Sequence, residues 1–93
     1  MIELKYAEAR SYADPETAAR GIMEIANTIE PAQGSKIYIE LINYPMLFKD
    51  KASPAEYWTG LQRAIENGWL KLHESGTFVT FTPAGADLFG RPA

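Results

Sequence analysis

The chain contains no cysteine and a single histidine, His73. No disulfide framework and no thiolate zinc site can form, which suits a reducing compartment. A lone imidazole lacks partners for a metal, and beside Glu74 on a short strand it reads as a surface side chain, so no metal is expected. Long apolar runs are missing as well. Nothing in MIELKYAEARSYADPE is apolar enough for a signal peptide, and no stretch approaches the ~20 residues of a membrane helix. A soluble, cytoplasmic protein without membrane contact is expected. Positive charge is also scarce: nine Lys and Arg stand against twelve Asp and Glu, giving a net charge of −3. A dedicated nucleic-acid binder usually carries the opposite sign, because phosphate neutralisation supplies most of its affinity. The acidity is uneven, with six acids against three bases in residues 1–35 and six against six in residues 36–93.

What is present is ordinary for one folded domain. Of 93 residues, 46% are hydrophobic and 12% aromatic, enough for one modest core. No internal repeat, linker or low-complexity segment divides the chain, so residues 1–93 are expected to form a single domain.

The most informative stretch is 53–85, SPAEYWTGLQRAIENGWLKLHESGTFVTFTPAG. Ser53 with Pro54 and Glu56 forms a capping box at a helix start. At 100° per residue Tyr57, Leu61, Ala64, Ile65 and Gly68 share one face, with Trp58 at its edge. Gly68 supplies a left-handed stop. Residues 69–73 and 77–82 around Glu74-Ser75-Gly76 then read as a hairpin, with Val79 and Phe81 inward and Phe78 outward. Thr82-Pro83-Ala84 opens a last short helix.

Upstream, Ile2, Leu4 and Tyr6 alternate with charges, so residues 1–13 suit an edge strand or a loose arm. Asp14-Pro15-Glu16 starts a helix. Ala18, Ala19, Ile22, Ile25, Ala26 and Ile29 give it an apolar stripe, and Pro31 closes it. Residues 36–42 alternate as a short strand whose end is open, because residues 40–48 also suit a helical turn or two. Pro45 fits the first turn of such a helix. Residues 90–93 are expected to be a frayed tail.

This order of helix, strand, short helix, long helix, hairpin and short C-terminal helix is an α+β arrangement. With Tyr57, Leu61, Ile65, Gly68-Trp69-Leu70 and Phe81-Thr82-Pro83-Ala84-Gly85, it resembles the winged helix-turn-helix superfamily over about residues 14–90. The chain departs from the family pattern at Asn43-Tyr44-Pro45, where a second helix is due. The resemblance implies that the helix after Ser53 is a recognition helix for the major groove of double-stranded DNA, and that Glu74 to Phe78 form the wing tip. Candidate contacts are Thr59, Gln62, Arg63 and Asn67 on the exposed face, with Lys49, Lys51 and Lys71 as a basic rim. Gln62 and Asn67 suit adenine edges, and Arg63 suits guanine or phosphate. Glu56 and Glu66 oppose the phosphate backbone on that same face.

Catalytic constellations do not emerge. Serines 11, 35, 53 and 75 have no histidine in a triad-like setting, and Ser53 is occupied as a cap. Gly34-Ser35-Lys36 has the wrong order for a phosphate loop and reads as a turn. No enzyme activity and no cofactor are expected. Two readings stand. One is a DNA-binding transcription regulator acting as a homodimer. The other is an acidic interaction or dimerisation module in which Trp58, Phe78 and Tyr38 meet another protein or a second copy.

Overall fold

A computed structural model describes residues 11–91. The expected strand or arm at the start lies mostly outside them, and residues Ser11–Ala13 form one 3₁₀ turn. Helix α1 spans Pro15–Thr28. Its Asp14 cap accepts from the Thr17 backbone N–H at 3.3 Å and from the Thr17 hydroxyl at 2.8 Å. Strand β1 is only Ile37–Tyr38. Helix α2 spans Ile39–Tyr44 and runs on without a break into a π-helical stretch, Pro45–Lys49.

The expected strand over residues 36–42 is therefore corrected to two residues followed by a helix. Ile37 and Ile39 alternate as a strand would, but burial of Ile42 and Met46 four residues apart needs a helix. Pro45 opens the π-helical stretch, at its first position, yet α2 leads straight into it. The proline sits inside the continuous run, where its missing N–H removes one i→i−4 bond. The backbone widens there, and the Asp50 N–H donates to the Pro45 carbonyl at 2.9 Å, an i→i+5 bond.

Helix α3 spans Pro54–Glu66 behind the full Ser53–Glu56 capping box. The Glu56 N–H donates to Ser53 Oγ at 3.0 Å, and the Ser53 N–H donates to Glu56 Oε1 at 2.9 Å. Gly68, at φ +77°, ends the helix. The Trp69 N–H then reaches the Ala64 carbonyl at 3.0 Å, the long bond of a Schellman stop.

Strands β2 (Leu70–Leu72) and β3 (Phe78–Phe81) follow, then helix α4 (Pro83–Leu88). The sheet is antiparallel in the order β1-β3-β2, with Ile37 opposite Val79 and Leu70 opposite Phe81. The protein is thus a small α+β fold with four α-helices and one three-stranded sheet among the described residues. α1 packs chiefly on α3. Ala18, Ala19, Ile22 and Met23 of α1, Leu61 and Ala64 of α3, and Ile37, Leu70 and Val79 of the sheet are buried in one core.

The frayed end expected from residue 90 is also corrected as far as Arg91. The Arg91 N–H donates to the Ala86 carbonyl at 2.8 Å, closing α4 with a second Schellman-type bond. Its guanidinium donates to the Ala26 carbonyl at 3.1 Å and the Ile29 carbonyl at 3.2 Å, and lies over Phe81 at 4.6 Å. A cation placed on carbonyls at the C-terminus of α1, where the Ala26 oxygen also accepts from the Ile29 N–H at 3.2 Å, complements that helix's dipole. Arg91→Ala is expected to cost about 2 kcal/mol in urea denaturation. Arg91→Lys should recover little, because one ammonium lacks the planar fork that spans two carbonyls.

Candidate functional site

The first candidate surface is the outer side of α3. Thr59 and Gln62 are exposed there. Arg63 and Asn67 are turned toward α1. Arg63 Nε donates to Glu16 Oε1 at 3.0 Å, and Asn67 Nδ2 lies 3.3 Å from both Glu16 oxygens. Arg63 also approaches Glu66 at 3.8 Å. The local reason is the Asp14-Pro15-Glu16 start of α1, which projects Glu16 from the first turn onto the last turns of α3.

These bonds hold the Glu16 carboxyl below its ordinary range, the hydrogen bond from Arg63 first and that from Asn67 second. The Asp14 carboxyl is lowered too, chiefly by the Thr17 hydroxyl. A carboxylate with a depressed folded-state pKa releases its proton more readily than in the unfolded chain. Its contribution is complete above the unfolded value and fades as pH falls through the folded one. Stability is therefore expected to drop below the ordinary glutamate value of 4.5. Glu16→Gln should flatten that acid slope when urea midpoints are compared across pH. An unchanged slope would place the acid sensitivity elsewhere.

The candidate lysines fall at opposite ends of α3 in sequence. Lys49 and Lys51 precede α3, and Lys51 has a left-handed φ of +61°. Lys71 follows α3 and is exposed on β2, opposite Thr80. A helix of 13 residues, about 20 Å long, separates the two groups along the chain.

The second candidate set divides likewise. Tyr38 and Phe78 face each other across β1 and β3, with rings 6.0 Å apart edge to face. His73 stacks on Phe78 at 4.4 Å, and Lys36 Nζ sits 5.0 Å from the same ring. Phe78 is therefore half-buried in a cross-strand cluster rather than fully displayed. Trp58 stands apart on α3 and is 53% exposed.

His73 has a partner that its sequence setting did not reveal. Its Nδ1 accepts from the Ser75 N–H at 3.1 Å and lies 2.9 Å from Ser75 Oγ, which in turn lies 2.8 Å from Thr77 Oγ1. These bonds shape an exposed turn at the end of the hairpin. Among the described residues no group of three or more His, Asp or Glu side chains is placed to hold a metal ion, and no helix is long and apolar enough to cross a membrane.

Three large exposed apolar side chains lie in and just beyond the stretch that the sequence left open between strand and helix. Leu41, Tyr44 and Phe48 on the outer face of α2 and its π-helical continuation are 49%, 67% and 67% exposed. The Tyr44 and Phe48 rings meet at 4.9 Å. The spacing of three and then four residues is the signal that could have found them, given a helix at that position. Behind this stripe, an open groove of 460 Å³ runs between α2 and α1, lined by Tyr12, Ile25, Ile29, Tyr44, Lys49 and Asp50 among others. The Tyr12 hydroxyl donates to Asp50 Oδ2 at 3.1 Å. Partial burial, and after it the Asp50 charge, push that phenol up to about 12.

Compared with known proteins, the chain matches no family model, no curated relative and no solved structure.

Proposed function

We propose that this chain is a winged-helix-like, non-catalytic module that works by binding protein rather than nucleic acid. The element order and the β1-β3-β2 sheet support the winged-helix part of the reading. One observation carries the rest: Glu16 engages Arg63 on α3 and Asn67 at its C-cap, two of the side chains suited to a groove. An anion already held at an arginine must be displaced before a phosphate can take its position, and Glu66 adds a second negative charge beside it. Of the five large apolar side chains that stand exposed among the described residues, by contrast, three lie on α2 and its π-helical continuation, with Trp58 and Leu88 elsewhere. Side chains of this kind form the desolvated centres of protein interfaces.

Fluorescence anisotropy with labelled duplex DNA tests the reading. At about 50 mM salt, where phosphate contacts count most, no saturable binding is expected. Saturable binding that weakens steeply with salt and is lost in Lys49→Ala/Lys51→Ala would overturn it. That outcome favours the second reading, a DNA-binding regulator. The exposure of Thr59 and Gln62 on α3, with Lys49, Lys51 and Lys71 near its ends, speaks for it.

A further inference from the structure

We propose that the outer face of α2 is a self-association surface, on which a second copy of this chain packs antiparallel across a two-fold axis near Tyr44. The inference rests on the protein-binding reading above and adds the partner and the surface. Ile42 and Met46 bury one side of the helix, and Leu41, Tyr44 and Phe48 lie on the other. The π-helical turn contributes to this alignment. At about 4.4 residues per turn it keeps Phe48 above Tyr44, and their rings touch at 4.9 Å.

A two-fold contact needs a surface that matches itself when reversed. This stripe does. Antiparallel pairing centred at Tyr44 and Pro45 sets Leu41 of one copy against Phe48 of the other, and Tyr44 beside its own counterpart. The same operation brings Glu40 level with Lys49 of the second copy. Both side chains are exposed, and neither forms an ion pair among the described residues. Opposite charges at the two ends of an apolar stripe are what an antiparallel pairing uses, whereas a parallel pairing would set like against like. The two aromatic rings and Leu41 together expose roughly 300–400 Å², about half of the ~800 Å² per partner found in standard interfaces. The expected complex is a weak, concentration-dependent dimer, widened by the groove rim around Tyr12 and Asp50.

Sedimentation equilibrium on the full chain from about 1 μM to 1 mM tests this, with circular dichroism as the check that each variant folds. The 10.4 kDa chain is expected to shift toward twice that mass as concentration rises. Tyr44→Asp and Phe48→Asp change exposed side chains and should each weaken dimerisation at least ~10-fold. Glu40→Lys and Lys49→Glu should each weaken it several-fold, and the double charge reversal should restore it. A monomeric mass at every concentration overturns the proposal and leaves the stripe to a partner of different sequence. A dimer indifferent to Tyr44→Asp and Phe48→Asp overturns the surface, and singles without rescue in the double variant overturn the antiparallel register. None of these results depends on the duplex titration, so the two readings can fail separately.

Discussion

Gly85→Ala is expected to destabilise the protein by about 3 kcal/mol, although alanine is the better helix former by ~1 kcal/mol. Gly85 lies in the first turn of α4, directly against the Trp69 carbonyl group. A β-carbon there would stand 2.9 Å from the Trp69 carbonyl carbon and 3.0 Å from its Cα, and closer still to the carbonyl oxygen. All of these are backbone atoms, so no rotamer change relieves the overlap. The same oxygen accepts from the Thr82 N–H at 3.1 Å, while Thr82 Oγ1 accepts from the Gly85 N–H at 2.9 Å. Pushing Gly85 away therefore disturbs the cap of α4 and the entry to β2 together. Gly68→Ala is the contrasting variant. Its new methyl would meet nothing within 4 Å, so only the left-handed backbone at φ +77° resists it, at about 1–2 kcal/mol. If urea denaturation ranked Gly85→Ala as the milder change, the packing of α4 on Trp69 would be wrong.

Gly60→Ala is expected to cost about 2 kcal/mol for a related reason at the α1–α3 crossing. A β-carbon at position 60 would lie 2.7 Å from the Ala18 Cβ, 2.9 Å from the Ala18 carbonyl carbon and 3.0 Å from Ile22 Cδ1. The two helices approach closely because glycine faces alanine. Ala18→Gly removes the nearest of those atoms but leaves the other two. The double variant Ala18→Gly/Gly60→Ala should thus be more stable than the sum of the two single losses, by about 1 kcal/mol in a double-mutant cycle. Strict additivity would mean that the helices separate freely, contrary to this crossing.

Local chemistry made part of this fold legible from residues alone. Ser53, Pro54 and Glu56 name the start of α3, Gly68 its end, and Thr82 the cap of α4, because each acts on backbone within four residues. The face of α3 that buries Tyr57, Leu61 and Ala64 follows from helical spacing in the same way. Where two local signals competed, the reading went astray. Alternation from Ile37 through Leu41 points to a longer strand, so residues 40–48 stay open between strand and helix and the set Leu41, Tyr44 and Phe48 goes unranked. Long-range partners left no trace. Nothing near Arg63 in sequence announces Glu16, and nothing near Arg91 announces the carbonyls of Ala26 and Ile29. Those contacts exist only once α1 has packed on α3 and α4 has folded back, so the site residues were harder to rank than the elements that carry them.

The strand order has a consequence for biosynthesis. β3 lies between β1 and β2 yet is the last of the three to be made, so neither outer strand has a hydrogen-bonding neighbour until residues 78–81 have left the ribosome. A nascent chain paused before that point can assemble the α1–α3 helix pair but no sheet at all. Its exposed Ile37 and Leu70 would make such a pause the moment of greatest need for a chaperone.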